Sequence, residues 1–469
     1  MLLFAFAFAV MADPVSSVAY AIEAGLRAIG GDLRLLILTM GLVLGIISLV
    51  RLNYDQLIRR FPEGGGAVAA TGAAFGEGWA FLPLGALVVD FVLTIAISVA
   101  AAASAVIAYV PAAAPFRVEI AVGFCVLVAA ITWFGHVGRS VFATMTVAFV
   151  AVAIPVIALG FLHPQAVGTA PIQGQGTATI WTVFLAFPVA MALATGVEAP
   201  SSAIAQLGQL DDRGREHFGR TTLWLTFAIE GSLTIAIALL ALKLRTGIPA
   251  EDSTLIADLA RGAAGDGALF ALFQLTSSLL LLAAASSSFQ AGPGLLKALA
   301  RRTRADGEPV GILHPALGRV NDHHTPYWAV AAFLGVSVVV VVMAGGRDQE
   351  LVLFYAVAVF VSFISGLLAM ARFSLQDGRR GNVVVNVVGA VVVLFTIVVN
   401  LGRGYPVISL LASGMIGGFF AWLWVRQGRP RGIAQVEAEA ERELGEEDDQ
   451  NWDAGSAPDD RPGSSRNTE

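Results

Sequence analysis

Residues 1–25 read MLLFAFAFAVMADPVSSVAYAIEAG. Ten apolar residues, Leu2 to Met11, run into a carboxylate and a helix-breaker, Asp13 and Pro14. The chain then turns apolar again around Ser16, Ser17, Tyr20 and Glu23. No basic n-region precedes the apolar run, and Asp13-Pro14 is a poor cleavage context. The segment therefore reads as the first half of a spanning helix and not as a signal peptide. Proline cannot continue the helical hydrogen-bond ladder. A charge at the bilayer centre costs on the order of 2.5–3.5 kcal/mol and marks function by default. A segment carrying both at its middle needs a protein-lined or wet space to hold them.

Working outward, the chain is membrane material. Its 469 residues are 56% hydrophobic and 14% charged, with a mean hydropathy of +0.74, whereas soluble domains are about 25% charged. Twelve apolar spans are expected at 3–28, 33–58, 79–110, 117–134, 138–162, 178–207, 221–244, 267–299, 326–344, 350–371, 383–400 and 405–425. All should be helical, because a bilayer admits only helices or closed barrels and no alternating barrel pattern is present. The single cysteine, Cys125, excludes an intrachain disulfide and a cysteine metal site. The six histidines form no metal pattern, and no Walker motif is present.

Orientation follows from the basic residues. With the N-terminus inside, the inner loops hold fifteen Arg and Lys, Arg51, Arg59 and Arg60 among them, and the outer loops eight. The positive-inside rule then puts both termini in the cytoplasm. Residues 426–469 form an acidic tail: VEAEAERELGEEDDQ is a candidate short helix, and the remainder has the composition of a disordered, solvated end.

The first break has a counterpart. DPVSS at Asp13–Ser17 and EAPSS at Glu198–Ser202 share an acid, a proline and a serine pair, and they lie in spans 1 and 6. An offset of five spans is odd, so the second copy enters the membrane from the opposite side. Paired interruptions in two inverted halves point to a transporter's binding site. Freed carbonyls, the hydroxyls of Ser16 and Ser17 and the carboxylates suit a cation, while helix N-termini suit an anion. On span 3, Asp90, Thr94 and Ser98 share one helix face and can line a path. In span 8, Ser277, Ser278 and Ser286–Ser288 would suit a sodium site, but they read more simply as small-residue helix packing.

These stretches resemble the amino acid-polyamine-organocation (APC) superfamily over about residues 5–425. The most specific piece is NYDQLIRRFPEGGGAVAATGAAFGEG, Asn53–Gly78, which is similar to the superfamily's Tyr/Phe-Pro-x-Gly-Gly-Gly-Ala block. Amino acid permeases usually carry a Gly-Ser-Gly-like break in span 1. ADPVSSVAYAIEA instead resembles KimA-type potassium–proton symporters, as do VVDFVLTIAISVA in span 3 and ATGVEA in span 6. The resemblance implies a potassium site built from Asp13, Tyr20, Thr94, Ser98 and Thr195, with Tyr355 of span 10 as a further ligand and Glu198 beside it. Phe91 departs from the pattern, since those importers have a tyrosine there, and it motivates an amino acid or small organic cation as the alternative solute.

The resulting expectation is an all-α integral membrane protein of the LeuT fold with discontinuous helices 1 and 6. Its inverted repeat covers about 1–165 and 178–371, and helices 11–12 lie at 383–425. It is expected to be a secondary transporter of the cell membrane and no enzyme. Cofactors are not expected. Protons carried by Asp13, Asp90 or Glu198 are the coupling ion, with sodium as the alternative. Expected partners are the solute and the bilayer, with a second copy of the chain as the candidate protein partner and no nucleic acid.

Overall fold

The computed structural model describes residues 2–135, 138–172, 180–301, 311–404 and 406–456, and the described residues are helices and connecting turns. In chain order the helices are α1 (Leu2–Val10), α2 (Ala12–Ser16), α3 (Val18–Ala28), α4 (Leu33–Arg60), α5 (Gly66–Phe75), α6 (Phe81–Tyr109), α7 (Arg117–Trp133), α8 (Arg139–Leu162) and α9 (Ile180–Ala190). They continue with α10 (Ala199–Ala203), α11 (Asp212–Leu244), α12 (Leu255–Ala264), α13 (Ala268–Arg301), α14 (Tyr327–Met343), α15 (Asp348–Gln376), α16 (Arg380–Leu401), α17 (Pro406–Arg426) and α18 (Val436–Ser456).

Ten helical segments are long and apolar enough to cross a membrane, among them the composite Ile180–Gln206. The shorter apolar helices include α5 and the 17-residue α14, and the broken α1–α3 unit is apolar as well. Most ends fall within a few residues of the sequence reading. Helix α11 starts nine residues early, at Asp212 instead of 221, because Asp211 caps it by accepting the Gly214 amide at 2.8 Å. Arg302, Arg304 and the tail beyond residue 456 lie outside the described residues.

Helix α6 runs through the centre, packed against α13, α15, α17 and α7. Its run of Ala100–Ala103 is buried, and small side chains let helices approach closely where lipid offers no hydrophobic drive. The closest approach is to α17. A Cβ on Gly85 would fall 2.5 Å from the Gly417 amide nitrogen and 2.8 Å from its Cα.

Three sequence readings are corrected. Arg51 is no loop charge: it lies nine residues inside the end of α4 and is fully buried. The glycine-rich stretch after α4 is a loop only at Phe61–Gly65; Gly64, Gly65 and Gly66 all have positive φ, and Gly66 opens α5. The start of the tail is not a solvated end, since Ile433, Val436, Glu437 and Ala440 are buried against the helix bundle.

Gly85→Ala should lower the thermal unfolding midpoint in detergent by an amount equivalent to about 1–3 kcal/mol, the usual cost of overpacking. Gly123→Ala, at a helical glycine with open space around it, should leave the midpoint in place.

Candidate functional site

The two interruptions differ in kind. In the first, winding almost persists: Val15 N–H reaches the Met11 carbonyl at 3.0 Å, and Ala21 N–H reaches that of Ser17 at 2.9 Å. Pro14 has no N–H for the Val10 carbonyl. The hydroxyl of Ser16 donates to the Asp13 carbonyl (2.7 Å) and that of Ser17 to the Pro14 carbonyl (2.6 Å). The expected unwinding is thus a pair of local breaks at Met11 and Ser17, because serine hydroxyls close the turns that proline opens.

The second interruption is complete. Helix α9 tightens into a single 3-10 turn over Met191–Ala194, Thr195 is extended (φ −56°, ψ 132°), and Gly196 takes φ +70°. Winding resumes only at α10, where Pro200 occupies a first-turn position that needs no N–H.

The breaks touch each other. A Cβ on Gly196 would lie 2.8 Å from Asp13 Oδ2 and 2.8 Å from Pro14 Cδ. Ser17 Oγ also donates to the Leu193 carbonyl at 3.2 Å, and the Tyr20 hydroxyl meets Thr195 Oγ1 at 3.4 Å. Asp13, Asp90, Phe91 and Glu198 line one cavity, along with Arg139, Ser287, Ser288 and Gln290.

Each of the three carboxylates keeps an oxygen that is buried and without a hydrogen-bond partner: Asp13 Oδ1, Asp90 Oδ1 and Glu198 Oε2. Thr94 Oγ1, Ser98 Oγ, Ser277 Oγ and the Tyr355 hydroxyl are buried without partners as well. Tyr355 is directed at Asp90, yet no hydrogen bond of good geometry closes between them. Two like charges 4 Å apart repel by about 4 kcal/mol at an effective dielectric of 20. Three carboxylates with buried oxygens lining one cavity therefore call for protons or cations.

Of the expected site residues, Asp13, Asp90 and Glu198 line this cavity, Tyr20 and Thr195 meet each other between the two breaks, and Thr94, Ser98 and Tyr355 are buried without lining it. Ser16 and Ser17 donate their hydroxyl hydrogens to backbone carbonyls, as Thr195 does to the Ala192 carbonyl at 2.6 Å, so all three shape the breaks and only their oxygen lone pairs are left for a ligand. Span 8 divides: Ser287 Oγ donates to the Ala284 carbonyl at 2.8 Å, as packing predicts, while Ser287 and Ser288 still border the cavity.

One charged element escaped the sequence reading. Arg51 Nη2 donates to Glu230 Oε2 at 2.7 Å and Nη1 to the Leu223 carbonyl at 2.7 Å, with both side chains of the pair fully buried. It ties α4 to α11. The available signal was its distance from the helix end, since a basic residue nine positions inside a span must find an acid.

An all-helical chain with two broken segments meeting at an acidic cavity defines a multi-pass membrane protein of the solute-transporting class. A family profile described as amino acid permease matches residues 2–420, and the chain belongs to that family of the APC superfamily. It is a transporter-family protein and not an enzyme. It is also 28% identical over 372 residues to a protein of Bacillus subtilis (strain 168) named potassium transporter KimA. That alignment takes in 76% of this chain and 58% of the relative, so the chain spans under two thirds of the relative's length.

Removing one partner of a buried pair strands the other. Arg51→Gln should cost about 3–5 kcal/mol, and Arg51→Leu with Glu230→Leu should recover most of it, as read by thermal unfolding. Gly196→Ala should leave the chain folded but displace the Asp13 carboxylate, and it should lower solute flux at least tenfold in reconstituted vesicles.

Proposed function

We propose that the chain is an ion-coupled secondary transporter that takes up potassium together with protons by alternating access. The observation that supports this most directly is the convergence of Asp13, Asp90 and Glu198, each with an unpartnered buried oxygen, on one cavity at two touching helix breaks. Net negative charge on buried carboxylate oxygens around one cavity favours a bound cation, and uncharged ligands add hard oxygens. Here those are the hydroxyls of Tyr20, Thr94, Ser98, Thr195 and Tyr355. Protons are then the natural co-substrate, because each carboxyl left without a cation is stabilised by protonation. Sodium is the alternative coupling ion, and no cofactor takes part.

In this reading the architecture is the twelve-span LeuT arrangement. The broken α1–α3 unit and α14 count as spans, and an inverted repeat relates about 1–165 to 178–371. The protein sits in the cell membrane with both termini cytoplasmic. A bundle containing the two broken segments rocks against α6 and α13 around the cavity.

A second reading rests on Phe91, which lines the cavity where the potassium importers have a tyrosine. A carboxylate-lined cavity with an aromatic wall also suits an amino acid or a small organic cation, and the family profile itself is that of amino acid permeases.

Purified protein in liposomes separates the two. Potassium and amino acid uptake are measured side by side under an imposed pH gradient. Potassium uptake that rises with the gradient and falls at least tenfold in Asp13→Asn supports the first reading. Amino acid uptake without potassium uptake removes it.

A further inference from the structure

The first turns of the tail helix sit on the cavity. Glu77 receives the segment at its start: its carboxylate accepts the amides of Gly432 at 2.8 Å and Ile433 at 2.5 Å. Glu437 then accepts a hydrogen bond from the Ser202 hydroxyl, at the inner half of the second break. One turn on, Glu441 accepts from Gln206 Nε2 at 2.7 Å, and Glu443 pairs with Lys297 of α13 at 2.8 Å. Gly445 lies flat on the Gln206 backbone, where a Cβ would fall 2.6 Å from the Gln206 Cα. Glu437, Glu441 and Leu444 line the same cavity as Asp13, Asp90 and Glu198.

We infer that the opening turns of α18 are a gate: docked, they close the tail-side mouth of the acidic cavity, and the pathway opens on that side only when they lift away. The geometry fits a removable part. The tail reaches across from the end of α17 to grip both moving and static elements, the Ala199–Gln206 segment through Ser202 and Gln206, and α13 through Lys297. A helix fixed to both holds them in one relative position. It also places acids at a mouth that leads to acids, so the docked state concentrates like charge. Burial pushes the Glu437 carboxyl up to about 7 and raises that of Glu441.

The titratable and charged groups around Glu437 are Glu441 and Glu443 on its own helix, and Tyr54, Asp13, Asp90, Arg139, Glu198 and Lys297 on the elements packed about it. Docking raises the affinity of Glu437 for a proton, so docking takes up protons. The closed state is therefore most favoured below the undocked value of about 4.5 and weakens as pH rises from there to the docked value near 7.

This rests on the transport reading for its purpose but not for its test. Full-length protein carries Cys125→Ala and a reporter, Ala291→Cys, on the cavity wall. Labelling by a membrane-impermeant maleimide is followed in proteoliposomes together with solute flux. Gly445→Ala favours the helix itself but wedges it off Gln206, and should raise the labelling rate at least tenfold. Lys297→Glu should do the same, and the charge swap Lys297→Glu with Glu443→Lys should return labelling to the slow rate. Labelling should also quicken between about pH 5 and pH 7, and Glu437→Gln should flatten that rise.

Slow labelling in both Gly445→Ala and Lys297→Glu would overturn the gate. A pH profile unmoved by Glu437→Gln would overturn the proton link. Fast labelling in a chain that moves neither potassium nor amino acid would leave the gate standing and remove the transport reading.

Discussion

Everything in this molecule is arranged around the cost of leaving carboxylates half-satisfied away from water. Asp13, Asp90 and Glu198 each retain a buried oxygen with no partner, a condition that folded proteins rarely accept. The fold tolerates it because helix winding is interrupted beside them. An unbroken helix would keep Asp13 and Glu198 on separate rods, whereas the left-handed turn at Gly196 brings the second backbone against the first carboxylate. The polar groups thus share a space instead of each being buried alone.

The rest of the bundle supplies rigidity by two unlike means. Between α6 and α17 it is the absence of side chains, since Gly85 and Gly417 put backbone on backbone. Between α4 and α11 it is a fully buried ion pair, Arg51 with Glu230. Dispersion at close range needs no partner beyond shape. The ion pair specifies register, because Arg51 has its two hydrogen-bonded acceptors, Glu230 and the Leu223 carbonyl, at one setting of the two helices.

What could be read from residues alone follows from how each signal is encoded. Spans are written in local composition, so the ends of α4, α6, α7 and α8 fell where apolar runs stop. The break in α9–α10 was legible from a proline inside an apolar span, but Pro200 opens α10 and the break itself lies just before EAPSS, at Thr195 and Gly196. The acids of the cavity were legible because charge is expensive in lipid. Arg51 was missed as a partner because pairing with Glu230 bridges 179 positions of sequence, and no local pattern records it. The tail was misread for the opposite reason. Its composition is that of a soluble segment, and only the contacts with Ser202, Gln206 and Lys297 make its first turns part of the bundle. Ser16 and Ser17 sat in the right place, but whether a hydroxyl serves a ligand or its own turn is decided by backbone geometry.

The Gly64–Gly66 stretch carries a consequence for the gene. All three residues hold positive φ, and Gly66 lies where a Cβ would meet the hydroxyls of Ser202 and Ser201 at 3.0 and 3.2 Å. Glycine codons differ only in their third base. Any change at the first or second base of these three consecutive codons would install a side chain that both the backbone and its neighbours resist. The stretch should tolerate silent changes freely and amino-acid changes almost not at all, which makes it a fixed point in the chain's evolutionary drift, while exposed valines such as Val384, Val391 and Val398 of α16 exchange at little cost.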